Sequence, residues 1–136
     1  MNILKVLTNK RKIGNVGERA AISYIRKRGY KVVETNYVAL GHEVDIIAYD
    51  KDTLVFIEVK TRTQQNSSYE SRPSAAVTRQ KMRAIIKVAG FYTAYLSEKP
   101  SIRFDVIEVY LDKNENILQI QQLEAAFTKD RAISRR

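Results

Sequence analysis

Apolar residues recur along this chain with two different periods, and each period marks a kind of element. Ala21, Ile22, Tyr24 and Ile25 sit at helical spacing, which predicts a first helix starting near Asn15. Asn15 and Glu18 have the N-cap and N3 spacing of a capping box, and Gly29 supplies a C-terminal stop. YKVVETNYV is rich in β-branched residues and reads as a strand. HEVDIIAYD and the LVFIEVKTR run follow as two more, joined by the turn formers Asp50, Lys51, Asp52 and Thr53. The polar stretch TQQNSSYESRPS has no period and predicts a mobile loop. A long helix is expected from about Ala75 or Thr78 to Leu96, burying Met82, Ile85, Ile86, Ala89, Tyr92 and Leu96. After Pro100, RFDVIEVYL alternates as a strand, DKNEN turns, and ILQIQQL makes a final short strand. The order αβββαββ predicts a mixed α/β sheet with helices packed on it.

Composition adds bounds. The 136 residues, 44% hydrophobic and 29% charged, suit one soluble domain over the whole chain, with mobile segments expected at 1–13, 63–73 and 128–136. No apolar run approaches the ~18 residues of a membrane span, so no membrane partner is expected. The opening MNILKVLTNKRK does not read as a secretory signal. The absence of cysteine excludes disulfides and thiolate chemistry, and a cytoplasmic address fits by default. Twenty-four Lys and Arg against fifteen Asp and Glu give +9, which favours polyanionic partners, nucleic acid first.

The most apolar stretch, residues 42–62, also carries Glu43, Asp45, Glu58 and Lys60. Side chains alternate along a strand, so Leu54, Phe56, Glu58 and Lys60 share one face and Val55, Ile57 and Val59 the other. Glu43, Asp45 and Ile47 likewise oppose Val44, Ile46 and Ala48. A hairpin symmetric about Lys51 and Asp52 sets Asp45 opposite Glu58, with Cβ atoms roughly 5 Å apart, and Glu43 opposite Lys60. Two ionised carboxylates that close repel, so either one keeps a proton or a cation sits between them. Mg²⁺ or Mn²⁺ matches an all-carboxylate donor set, and Lys60 is placed to act on a water or a phosphate there. Those parts together would hydrolyse a phosphodiester. On spacing alone a solvated strand face with a cross-strand salt bridge remains an equal alternative.

The blocks GNVGERAAISYIRKRGYKVVETNY, HEVDIIAYD and LVFIEVKTR, the helix containing Arg79, Gln80 and Lys81, and RFDVIEV together resemble the YraN family of bacterial proteins over roughly residues 14–109. That family is assigned to the PD-(D/E)xK nuclease superfamily, related to Holliday-junction resolvases. The resemblance implies a restriction-endonuclease-like αβββαβ core and a Mg²⁺- or Mn²⁺-dependent endonuclease acting on DNA, including branched or structured DNA. It implies that Asp45 and Glu58 carry the metal with the carbonyl of Val59, that Lys60 takes the place of the catalytic lysine, and that Glu18 completes the site. His42 stands where the family usually has glycine. Resolvase-like relatives commonly work as dimers, since two strands need two sites, so a homodimer is compatible with the resemblance although no interface signature marks this chain.

Further charged and aromatic residues accompany these. Arg62 is a phosphate-contact candidate, as are Arg79, Gln80 and Lys81, the latter two favoured by the resemblance. Arg26, Lys27 and Arg28 close the first helix, where cations suit its dipole. Glu43 reads as a salt-bridge partner of Lys60 or a solvent-facing residue, Asp105 as structural, and Tyr69 as a loop residue able to stack on a base. His42, the single histidine, reads as a loop or strand-start residue, leaving no histidine-rich zinc site. A nucleic-acid-binding protein that keeps the nuclease fold without turnover shares every one of these features. A basic interaction protein with no nucleic-acid role would show no salt-sensitive DNA binding.

Overall fold

A computed structural model describes residues 3–63 and 77–128, with side chains from residue 15 onward. The expected mobile segments 63–73 and 128–136 fall, but for Thr63 and Thr128, outside these residues, as does Tyr69. The elements are α1 (Ile3–Lys27), β1 (Lys31–Ala39), β2 (His42–Asp50), β3 (Thr53–Thr63), α2 (Arg79–Ala94), β4 (Ser101–Leu111) and β5 (Ile117–Phe127). The order is the one the periodicity predicts. Among the described residues no helix is long and apolar enough to cross a membrane.

The strands form one sheet in the order β1-β2-β3-β4-β5. Only β3 and β4 run parallel, joined by a crossover through α2, and the other neighbours are antiparallel. Each face of the sheet is covered by one helix. Ala20, Ala21 and Ile25 of α1 pack on Val55, Ile57, Val59, Ile107 and Val109. Ile85, Val88 and Ala89 of α2 pack on the other face, against Leu54, Phe56, Val106 and Phe127. The central strands are therefore covered on both sides and carry long apolar runs, as sheets with a parallel pair do. This five-stranded mixed sheet with two helices is consistent with a restriction-endonuclease-like core.

Three expectations are corrected. The first helix begins at Ile3 rather than near Asn15, so Asn15 lies inside it and forms no capping box with Glu18. The leader ILKVLTNKRK is built largely from good helix formers, and that propensity carries the helix through Gly14. Its other end holds as expected: Gly29 adopts φ +91°, and Tyr30 N–H reaches back to the Ile25 carbonyl at 3.0 Å. The last strand continues to Phe127, past the expected end at Leu123, through an irregularity where Ala125 has φ +52° and donates its N–H to Asp105 at 2.9 Å. Finally, Val44 belongs with Ile47, Leu54 and Phe56 under α2 rather than on the opposite face. Strict alternation fails there because backbone pairing of β2 with β3 runs only from Asp50–Thr53 to Ile46–Ile57.

Candidate metal centre

The break in alternation creates the site. The hairpin register is the symmetric one, with Ile46 opposite Ile57 and Asp50 opposite Thr53. Where that ladder stops, Asp45 turns its carboxylate onto β3, and Oδ2 accepts the Val59 N–H at 2.8 Å. A side chain thus takes a strand N–H that would otherwise go to a backbone carbonyl. The Asp45 and Glu58 side chains come within hydrogen-bond contact.

Glu18 reaches the same place from α1. Carboxylate oxygens of Glu18, Glu43 and Asp45 lie within 4.8 Å of one another. Close approach of the helix makes this reach available. Gly17 is buried against β3, where an added Cβ would stand 1.8 Å from Thr61 Oγ1 and 2.9 Å from Thr61 Cβ. Asn36, in the left-handed region at φ +50°, joins two of the acids by donating Nδ2 to Glu18 Oε1 at 3.0 Å and to Glu43 Oε2 at 2.9 Å.

A cation arrives from the other helix. Thr78 caps α2 by accepting the Lys81 N–H at 3.1 Å, which sets Lys81 in the first turn. Its ammonium donates to the Glu43 carbonyl at 3.2 Å and lies 4.0 Å from Glu58 Oε1. Lys60 is half-buried on β3, and its charge and that of Lys81 both draw Glu58 down. Burial outweighs them and leaves the Glu58 carboxyl above its ordinary range. Burial first, then Glu58, Glu18 and Glu43, push Asp45 from an ordinary 3.8 up to about 8, against the opposing pull of the Val59 N–H.

Among the described residues the acids thus outnumber the cations that neutralise them. Glu58 is only 6% exposed, and its buried Oε1 has no hydrogen-bond partner among the described residues. Carboxylates gathered this closely, with one buried Glu58 oxygen left unsatisfied, suit a hard divalent cation with oxygen ligands. The donor set fits such an ion. Asp45, Glu58, Glu43 and Glu18 are the side chains that could hold it.

The candidates named from sequence divide here. Glu18 gathers with Asp45, Glu58 meets Asp45 and lies 4.0 Å from Lys81, Lys60 acts on Glu58 through its charge, and the Val59 backbone joins Asp45 through its N–H. Arg62 points its guanidinium at Glu108, with Nε 2.6 Å from Oε1 in an ion pair lacking hydrogen-bond geometry. Arg79 and Gln80 open α2 beside Lys81, Gln80 being exposed. His42 is exposed at the start of β2. Glu43 does not pair with Lys60 among the described residues; it joins the acidic cluster instead.

Two participants had little or no signal in sequence. Asn36 was hidden inside a β-branched run, although asparagine within a strand is a recognised marker of left-handed backbone. Glu108 lies in register with Lys60 on the neighbouring strand and is fully buried, which a glutamate in an alternating strand does not announce.

The matches with known proteins span this same set of residues. The model of the uncharacterised protein family UPF0102 matches residues 17–109, from the glycine beside Glu18 to the residue after Glu108. A UPF0102 protein of Caldicellulosiruptor saccharolyticus is 39% identical over 88% of this chain and 99% of its own length. One from Caldanaerobacter subterraneus is 43% identical over 82% of this chain and 89% of its own. One from Dictyoglomus thermophilum is 42% identical, again over 88% and 99%. With a family match across most of the chain and relatives alike over nearly their full lengths, the protein belongs to the UPF0102 family, also known as the YraN family.

Proposed function

We propose that this protein is a metal-dependent endonuclease that hydrolyses phosphodiester bonds in DNA, with branched or otherwise structured DNA the first substrate class to test. One observation carries the reading: in the carboxylate pair of half-buried Asp45 and buried Glu58, Glu58 retains an oxygen that nothing among the described residues hydrogen-bonds. The +9 net charge supports a polyanionic substrate.

Asp45 and Glu58 would hold Mg²⁺ or Mn²⁺, joined by Glu18, Glu43 and the Val59 carbonyl. Bound there, the ion supplies Lewis acidity toward a phosphate oxygen and lowers the pKa of water. The chain's own part is electrostatic and positional. Val59 N–H fixes the Asp45 carboxylate, and Asn36 holds Glu18 and Glu43 together, so the acids are in place before a substrate arrives. Lys60 is half-buried two residues beyond Glu58 on β3, and its charge, which already favours the Glu58 carboxylate, would favour charge developing on phosphate. Lys81 brings a second cation to the same edge.

A cleavage panel of junction, flap, duplex and single-stranded DNA with Mg²⁺ or Mn²⁺ tests this. Wild type should cut at least one substrate, and Asp45→Ala, Glu58→Ala and Lys60→Ala should each abolish cutting while remaining folded. A folded wild type that cuts none of them overturns the assignment. Salt-dependent DNA binding without calorimetric Mg²⁺ uptake would instead identify a binder that keeps the nuclease fold.

A further inference from the structure

Several cations with described side chains are already engaged. Arg28 pairs with Glu124 at 3.3 Å and lies over the Tyr24 ring. Arg103 is held by Asp50 and Asp105, Arg62 by Glu108, and Lys99 by the last carbonyls of α2. Arg19, Arg26 and Lys27 are not, and unlike the scattered Lys31, Lys51, Lys87 and Lys113 they gather on one helix. All three are exposed on α1 and have no ion-pair or hydrogen-bond partner among the described residues. With Ile22 and Ser23 they line an open groove of about 540 Å³.

Helical geometry places this groove relative to the acids. At about 100° per residue, Glu18 and Ile22 form the edge of the buried face, and Arg19, Ser23 and Arg26 form the adjoining row on the solvent side. Arg19 to Arg26 covers about 10 Å of helix axis. One strand of a duplex passes about three phosphates in that distance, at about 3.4 Å of axis each. The lining offers guanidinium, ammonium and hydroxyl donors above an aliphatic floor and no aromatic ring. Donors without rings suit phosphates, whereas splayed bases call for stacking platforms.

We propose that this face of α1 is a second nucleic-acid contact, binding the phosphate backbone of double-stranded DNA through Arg19, Arg26 and Lys27. It extends the track away from the acidic cluster that Glu18 joins. The assignment rests on DNA being the partner, and it specifies duplex backbone, read without regard to base sequence. The contacts anchor the duplex arm flanking the bond to be cut.

The test is the salt dependence of binding to a short labelled duplex, followed by fluorescence anisotropy in EDTA from about 50 to 200 mM salt, so that no cleavage intervenes. The triple variant Arg19→Gln/Arg26→Gln/Lys27→Gln should lower the slope of log K against log [salt] by about 2 to 3, near 0.9 for each lost phosphate contact. A control triple, Lys31→Gln/Lys51→Gln/Lys113→Gln, removes the same charge from the turns and should leave the slope nearly intact. Arg19→Lys/Arg26→Lys should retain it. Equal slope losses in both triples would reduce the effect to net charge and overturn the proposal. An unchanged slope in the α1 triple would also overturn it, leaving the nuclease reading standing if wild type still cuts. A wild type that binds no DNA would end both.

Discussion

Asp105 and the Asp45–Glu58 pair are two acidic centres of this molecule that the chain treats in opposite ways. Asp105 on β4 is fully buried and fully answered. Arg103 reaches it with Nε at 2.9 Å and a second nitrogen at 3.0 Å, and Gln122 Nε2 and the Ala125 N–H each reach it at 2.9 Å. Arg103 also takes Asp50 and the Tyr30 hydroxyl, so the network closes on itself. Asp45 and Glu58 sit on neighbouring strands with one backbone N–H, two lysines nearby and an oxygen left over. A buried charge with every partner inside the chain explains itself as structure. One without them costs stability and needs something from outside, which is the pattern of a site rather than a scaffold.

The largest contrast follows from removing each acid. Asp105→Ala should destabilise by about 3–5 kcal/mol, because it leaves the Arg103 guanidinium partly buried beside lost hydrogen bonds. Asp45→Ala should leave the protein folded and abolish Mg²⁺-dependent cleavage. Denaturant unfolding and the cleavage panel run on both variants check this. Swapped phenotypes, with Asp45→Ala unfolding and Asp105→Ala merely inactive, would dissolve the distinction.

Acidity sharpens it next. The Asp45 carboxyl titrates at about 8 in the folded protein against 3.8 ordinarily, burial being the main cause. Between those values the folded state binds the extra proton, so stability falls as pH rises through that window. Metal-free wild type should therefore melt several degrees lower at pH 8 than at pH 5. Asp45→Asn, neutral throughout, should flatten that difference, and Mg²⁺ should restore wild-type melting mainly at the higher pH, where the carboxylate is ionised. A wild type more stable at pH 8 than at pH 5 without metal would contradict the unsatisfied charge. Arg103 adds no such slope, since it stays charged over this range.

How much of this was legible beforehand varies with the physics. The element order and the hairpin register were, because apolar periodicity and a turn of Lys51 and Asp52 carry them locally. The meeting of Asp45 with Glu58 followed from that register. Three things were not. The place where the β2–β3 ladder stops depends on Asp45 capturing a backbone N–H, which no alternation rule contains. Glu43 was on the right face by alternation, but its membership of the cluster depends on Asn36 and on the approach of α1. Arg103, Asp50 and Gln122 come from three strands and Tyr30 from the turn before β1, so the closed network around Asp105 exists only once the sheet is assembled.

The approach of α1 offers a smaller test. Gly17→Ala puts a methyl where Thr61 already stands, and both the Thr61 hydroxyl and Cβ are too near for a rotamer change alone to clear. Overpacking of that kind should cost about 1–3 kcal/mol. It should also move Glu18 off the acidic cluster and weaken calorimetric Mg²⁺ binding, leaving the Asp105 network untouched. Pairing it with Thr61→Ser, which shortens the obstacle by a methyl, should recover only part of the loss, because the hydroxyl and Cβ remain.

Asn36 gives the smallest effect and separates placing acids from neutralising them. Asn36→Gly keeps the left-handed backbone at φ +50° and removes the Nδ2 bridge between Glu18 and Glu43. Stability should change by less than about 1 kcal/mol, since both acids are near solvent and one neutral hydrogen-bond donor is lost. Mg²⁺ affinity should fall about 10-fold, in the manner of an outer partner that orients ligands. Melting temperature and calorimetry together decide it. Affinity equal to wild type would mean that Glu18 and Glu43 find the ion without help, and that only Asp45 and Glu58 are held in advance.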